Sequence, residues 1–244
     1  MSDRNWAVVV PMANEADDFE PFISELTAVL DGLGSGAVYL VVDNVSQDRT
    51  LDLCRALSAR DPRFVTVFAP ENRNVVDAYI KGLAEAYNAG YPYIIEMDAG
   101  MSHDPKKIPT FLEALENGFH CVFGNRFIPG GSITGAPLKR RLLSRGGTLL
   151  SNLLLGTRLS DMTSGFQGFQ ADVVARLLNY KLLSTAHFYQ TELRYLLRRE
   201  KYTELPICYR APSPRVSKGS VMNALKVLLH YFIMRLAGKP VVIE

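Results

Sequence analysis

The sequence predicts an α/β fold built on a mostly parallel sheet with helices on both faces. Short strands of unbroken apolar character alternate with amphipathic helices through the first half of the chain, the pattern of strands buried on both sides. The segments that follow four of these strands, residues 11–15, 43–48, 98–104 and 125–126, are polar and together rich in carboxylates. In such sheets ligands bind beyond the C-terminal strand ends, so these segments mark the candidate site.

Residues 6–10 read as the first strand, and apolar positions at helical period follow over 17–33. A second strand spans 37–42, and Ser46 stands where an N-cap would start a helix reaching residue 59. Strands at 64–68 and 91–97 flank a helix at 75–88. Pro105 opens a helix to about residue 117, and 120–124 is the next strand. Gly130, Gly131 and Gly135 then punctuate what reads as a mobile loop. The helix expected at 138–155 opens with Lys139, Arg140, Arg141 and Arg145. A strand at 166–169, two helices, a strand at 205–209, a Pro- and Ser-rich loop at 211–220 and a last apolar helix complete the order. No repeat, low-complexity run or linker divides residues 1–244, so one domain is expected.

The 244 residues carry a net charge of +2, 48% apolar residues and a mean hydropathy of +0.03, which excludes a disordered, collagen-like or multi-span membrane chain. The charge is unevenly distributed. Residues 1–122 hold 9 Lys+Arg and 19 Asp+Glu, a net of −10, and residues 123–244 hold a net of +12. Such asymmetry suits different ligands for the two halves, the basic one facing an anion; chance variation among solvated helix faces is the plainer reading. Cys54, Cys121 and Cys208 are odd in number and far apart, and read as reduced core residues of a cytosolic protein. The first residues lack the layout of a signal peptide. No G-x-G-x-x-G follows the first strand and no P-loop motif occurs, so a dinucleotide oxidoreductase and a P-loop NTPase lose their main support.

Asp98 follows an apolar strand in EMDAG, where a carboxylate can hold a divalent cation against a diphosphate. Asp43, past the second strand, can accept hydrogen bonds from a base or ribose. Either alone reads as a strand-end cap; two at neighbouring strand ends favour a site.

At this point a resemblance emerges. VVVPMANEADDF, VVDNVSQDRT and YIIEMDAGMSHDPKKIP resemble, in order, the V-P-x-x-N-E, V-D-D-x-S-x-D-x-T and acidic strand-end segments of the family-2 glycosyltransferases, which have the GT-A fold. GNRFIPGGSI, LKRRLLSRGGTLLSNLLL and SDMTSGFQGF resemble, more narrowly, the dolichol- or polyprenol-phosphate mannose synthases. The blocks run from about residue 7 to 218. The resemblance implies inverting transfer of a hexose from a nucleotide diphosphate sugar to a polyprenyl phosphate. A Rossmann-like nucleotide-sugar half (1–122) would precede an acceptor half (123–218). Pro11, Ala13, Asn14, Glu15, Asp43, Ser46, Asp98 and Ala99 would bind the donor, and Asp98 would meet Mg²⁺ or Mn²⁺. Arg126 and Arg140 would grip phosphate, with Asp161 and Lys218 also on the acceptor side. Asp98, Arg126 and Arg140 would carry catalysis, since guanidinium groups bind phosphate bidentately and stabilise a leaving diphosphate. A phosphate acceptor is already ionised, so no general base is needed.

Three positions depart from the family pattern. Gly100 stands where a second Asp is usual, which puts direct metal binding in doubt; Asn74, Val75 and Val76 replace a Gly-rich turn; and Pro212 stands where an Arg is expected, with Arg210 or Arg215 as substitutes. Glu192 in QTEL falls about where the base lies in relatives that glycosylate a hydroxyl, and Asp161 is a second candidate. The plainer readings are a helix-surface charge for Glu192 and turn capping for Asp161. His103 reads as a helix-entry residue before Pro105, and Trp6 as core. A scaffold that binds a nucleotide sugar without catalysis is the alternative of another class; Arg126, Arg140 and Lys218 speak against it. Nucleic acid is not an expected partner.

The final helix, 219–237, places Val221, Leu225, Leu228, Leu229, Phe232 and Leu236 at helical spacing. It reads either as an interfacial helix in a membrane surface or as a core or oligomer-contact helix, and periodicity does not separate these. The basic cluster at 139–145 favours the first, because anionic lipid attracts it. The expected location is cytoplasmic, peripheral at the inner membrane face.

Overall fold

A computed structural model describes residues 5–135, 138–210 and 218–243; the side chains of Lys139, Arg140 and Lys218 lie outside the described set. Strands β1 (Trp6–Met12), β2 (Gly36–Val42), β3 (Phe64–Phe68) and β4 (Tyr93–Glu96) alternate with helices α1 (Phe19–Leu30), α2 (Thr50–Arg60) and α3 (Val75–Asn88). A single 3₁₀ turn at Pro105–Lys107 leads into α4 (Ile108–Glu116), then β5 (Cys121–Asn125), β6 (Ser132–Thr134) and α5 (Leu138–Leu155). The chain closes with β7 (Gln167–Gln170), α6 (Ala171–Leu178), α7 (Tyr189–Leu196), β8 (Tyr202–Pro206), β9 (Cys208–Arg210) and α8 (Lys218–Leu236).

Seven strands form one sheet in the order β3-β2-β1-β4-β7-β5-β8, and only β7 runs antiparallel to its neighbours. The expected mostly parallel sheet is therefore present. Alternate residues of β1 go to opposite faces: Val8 and Val10 pack with Phe22 and Leu26 of α1 and with α4, while Ala7 and Val9 pack with Leu83 of α3. Both faces are covered, which is why these strands are apolar throughout rather than alternating. Trp6 is fully buried, as expected of a core residue.

Gly82 shows how closely α3 sits on the sheet. A Cβ added there would overlap Val9 Cγ1 and reach 3.0 Å from Val41 Cγ2. Gly82→Ala is therefore expected to cost about 1–3 kcal/mol of unfolding free energy despite alanine's better helix propensity, as read from urea denaturation.

Three expectations need correction. Ser46 does not cap α2, which starts at Thr50; Asp48 Oδ1 instead accepts from Thr50 N at 2.9 Å, a stronger acceptor at the turn. The glycine-punctuated segment at 130–135 is not simply a loop, because β6 pairs with β9 in a separate two-stranded sheet. The single strand expected at 205–209 is two strands broken at Ile207, with β8 completing the main sheet. Cys54 and Cys121 are buried free thiols and Cys208 is partly exposed and free.

Candidate active site

The loops after β1, β2 and β4 meet at the C-terminal end of the sheet. Asn14 adopts a left-handed φ of 58° and laces the first two loops together. Its N–H donates to Ser46 Oγ (3.1 Å), its Nδ2 donates to Val45 O (3.2 Å), and its Oδ1 accepts from Gln47 N (2.8 Å). Asp48 Oδ2 accepts from Ala16 N at 3.0 Å, and the bonds from Thr50, Ala16 and Ser46 hold its carboxyl down at about 2. Asn14 and Ser46 thus bind the β1 and β2 loops to each other. Pro11, Ala13 and Asp43 lie along the same rim; Asp43 is buried and its Oδ1 accepts from Val45 N at 3.0 Å.

Asp98 stands just past β4, its side chain 36% exposed. Tyr79 of α3 donates its hydroxyl to Oδ1 at 2.5 Å. On the other side the backbone N–H of Asp98 donates to His103 Nδ1 at 3.1 Å. That assigns the imidazole proton to Nε2, which is buried, has no hydrogen-bond partner and lies 3.7 Å from Asp98 Oδ2. Burial holds His103 below its usual range, and its ring stacks on Phe166 at 5.1 Å. A Cβ at Gly165 would come within 3.1 Å of both Asp98 oxygens, so only glycine lets that backbone approach the carboxylate. Glu15 points into the same space. Partial burial, followed by the charges of Asp18, Asp98 and Asp48, raises its carboxyl to about 7. Ala99, partly buried, packs on the core.

Behind Asp98 lies a second pair. Tyr79 stacks on Tyr189 at 5.5 Å, and the Tyr189 hydroxyl donates to Glu96 Oε1. Glu96 is fully buried, and desolvation lifts its carboxyl to about 8. Nothing in the sequence marked this Tyr79–Tyr189 stack and its bond to Glu96, because the tyrosines lie on separate helices and Glu96 ends a strand, and no local pattern joins the three.

Arg126 follows β5 and is 7% exposed. Its Nε and Nη2 donate to the two oxygens of Asp161 at 2.7 and 2.8 Å, and Nη2 also donates to Thr163 Oγ1 at 2.5 Å. Its guanidinium lies between the rings of Phe127 and Tyr209, at 5.3 and 5.5 Å. Asp161 is fully buried, and although burial opposes it, Arg126 keeps its carboxyl below the usual range. Arg194, also fully buried, donates to the carbonyls of Asp161, Gly124 and Ser164. Burial lowers its guanidinium to about 10.

Glu192 is not a helix-surface charge. Fully buried, it accepts from Leu183 N and Ser184 N, both at 2.8 Å, and from the Tyr231 hydroxyl at 2.6 Å, tying the 183–184 turn to α8. Arg210, one substitute for the arginine absent at 212, is held by Glu25 at 3.1 Å and faces Asp104 at 3.8 Å. Arg215, Pro212 and the side chains of Arg140 and Lys218 lie outside the described residues. Asn74, in place of the Gly-rich turn, caps α3 by accepting from Val76 N (2.9 Å) and Asp77 N (3.2 Å). An open cavity of about 770 Å³ lies beside that cap, rimmed by Arg73, Ile80, Lys181 and Thr185. A smaller one of about 390 Å³ is lined by Phe127, Arg145, Thr148 and Ser160. Among the described residues no group of three or more His, Cys, Asp or Glu is arranged to hold a metal.

This architecture, a mostly parallel sheet flanked by helices, is the GT-A fold of glycosyltransferases. The structure is similar to that of glucosyl-3-phosphoglycerate synthase from Mycobacterium tuberculosis in complex with Mn²⁺, UDP-glucose and phosphoglyceric acid, with a TM-score of 0.68 over 97% of this chain and 81% of that one, at 18% identity. The glycosyl transferase family 2 model matches residues 7–178, and the chain belongs to that family. It is 29% identical to an undecaprenyl-phosphate mannosyltransferase of Micrococcus luteus over 82% of both chains. It is 27% identical to a polyprenol monophosphomannose synthase of Mycolicibacterium smegmatis over 88% of this chain and 81% of that one.

Proposed function

We propose that the protein transfers a hexose, with inversion, from a nucleotide diphosphate sugar to a polyprenyl phosphate at the inner face of a membrane. The observation that carries this is the division of labour at the sheet end. Glu15, Asp43 and Asp98, on the loops after β1, β2 and β4, are assigned to the donor, and the Arg145-lined niche, with Arg126 buried behind it on Asp161, is assigned to the acceptor. The names of the two mannosyltransferase relatives support a polyprenyl phosphate acceptor and favour mannose. The burial of Asp161 and Glu192, each already saturated with hydrogen bonds, favours an acceptor that needs no base.

A divalent cation fits the residues present: Asp98 Oδ2 faces an unpartnered Nε2–H, a geometry that orients a ligating carboxylate. Such a cation would offset charge on the leaving diphosphate. Asp98 would hold it, with Tyr79 keeping that carboxylate in place.

Membrane contact is supported by two helices. Leu142, Leu143, Leu149 and Leu153 of α5 and Met222, Leu225, Leu229 and Ile233 of α8 are exposed, and Arg235 of α8 donates to Leu153 O and Leu154 O, joining the helices. No helix among the described residues is long and apolar enough to cross a membrane, so the contact would be interfacial.

Purified protein given polyprenyl phosphate and a panel of donors should release nucleoside diphosphate with at least one of them, and thermal shift with UDP and GDP would report the base. Equal turnover on a hydroxyl acceptor, or none on the lipid phosphate, would overturn the reading. Leu149→Ser with Leu153→Ser should weaken sedimentation with anionic vesicles about tenfold, at unchanged melting temperature.

A further inference from the structure

Gly100 occupies the family's usual second-carboxylate position, and its surroundings show what stands there instead. β1 and β4 are adjacent and parallel, with Val9 opposite Glu96, so the chain leaving β1 runs beside the chain leaving β4. Gly100 has a φ of +70°, and a Cβ built on it would stand 3.1 Å from Glu15 Oε2. The carboxylate of Glu15 therefore fills the space into which a side chain at position 100 would project.

The neighbouring acids are not equivalent. Asp48 has both oxygens committed, to Ala16 N and to Ser46 Oγ and Thr50 N, and Asp18 is exposed at the start of α1. Asp98 is held from behind by Tyr79 at Oδ1, with the buried, unpartnered His103 Nε2–H aimed at Oδ2 from 3.7 Å. An imidazole donor fixed by a backbone N–H on its other nitrogen is a common support for a ligating group. Hard cations such as Mg²⁺ take one or two protein carboxylates and complete their shell with water and substrate phosphates.

We propose that Glu15 is the second carboxylate of the divalent-cation site, supplied by the β1 loop in place of the side chain that Gly100 lacks, with Asp98 as the first. Gly100 is then part of the design, since a Cβ there would crowd Glu15 Oε2 at 3.1 Å. Tyr79 and His103 act through Asp98 and are positioning residues. This rests on the proposed cation, and the test separates the two.

Mn²⁺ binding, followed by electron paramagnetic resonance and calorimetry on the whole protein, alone and with UDP or GDP, reads the site without turnover. Glu15→Gln should weaken Mn²⁺ at least tenfold, Asp98→Asn should weaken it further, and Asp18→Asn should leave it unchanged. Glu15→Gln with Gly100→Asp should recover part of the loss, which a purely structural role for Glu15 would not produce; melting temperatures control for folding. Wild-type Mn²⁺ affinity in Glu15→Gln alongside loss in Asp98→Asn would overturn the role of Glu15 and leave the cation reading intact. Absence of Mn²⁺ binding by the wild-type protein with either nucleotide would overturn both.

Discussion

Arg194→Met should lower the free energy of unfolding by about 3–5 kcal/mol, measured by urea denaturation. The guanidinium is fully buried on α7 and donates to three backbone carbonyls, those of Gly124 in β5 and of Asp161 and Ser164 in the segment before β7. Methionine matches much of the volume but donates nothing, so each carbonyl keeps its desolvation cost without a partner, about 1–3 kcal/mol apiece before relaxation. The Asp161 carboxylate would also lose a nearby cation. Against this stands the relief of no longer burying a charge, visible in how far burial lowers the Arg194 guanidinium. The three unsatisfied carbonyls outweigh that relief. A loss under 1 kcal/mol would show that water or local rearrangement satisfies them. Because Asp161 also carries Arg126, turnover should fall beyond what the stability loss explains.

Asp98→Asn should behave oppositely, lowering kcat/KM by about 10²–10³-fold with an unfolding free energy within about 1 kcal/mol of wild type. The side chain is one-third exposed, and an asparagine Oδ1 can still accept from Tyr79, so little packing or hydrogen bonding is lost. What disappears is the negative charge at the end of β4, which the proposed mechanism uses to place the cation and diphosphate. Steady-state kinetics with saturating lipid acceptor would measure it. A loss smaller than tenfold would remove Asp98 from the catalytic machinery.

Much of the sheet and its acidic edge is legible in the sequence. Apolar runs at 64–68 and helical periodicity at 75–88 and 138–155 match β3, α3 and α5 to the residue, because local propensity and burial agree there. The acidic loop ends followed from strand topology. Less legible were Ser46, read as an N-cap, and Asn14, both placed at the donor by the family resemblance; their first partners are each other's loops. Glu192 shows the same limit: at the sequence level a carboxylate on an amphipathic helix looks solvated, but here it holds a turn and α8.

The sequence by itself determined the alternation of strands and helices, the parallel sheet and the site's place at its C-terminal edge, because these depend on periodicities and turn residues within a dozen positions. Only the tertiary structure decided which charges meet. Arg126 finds Asp161 35 residues away, Arg194 finds Gly124 at 70, and Glu15 settles in the gap left by Gly100. Those pairings follow from where β7 inserts antiparallel between β4 and β5 and from how the β1 and β4 loops lie together, geometry that no local pattern encodes.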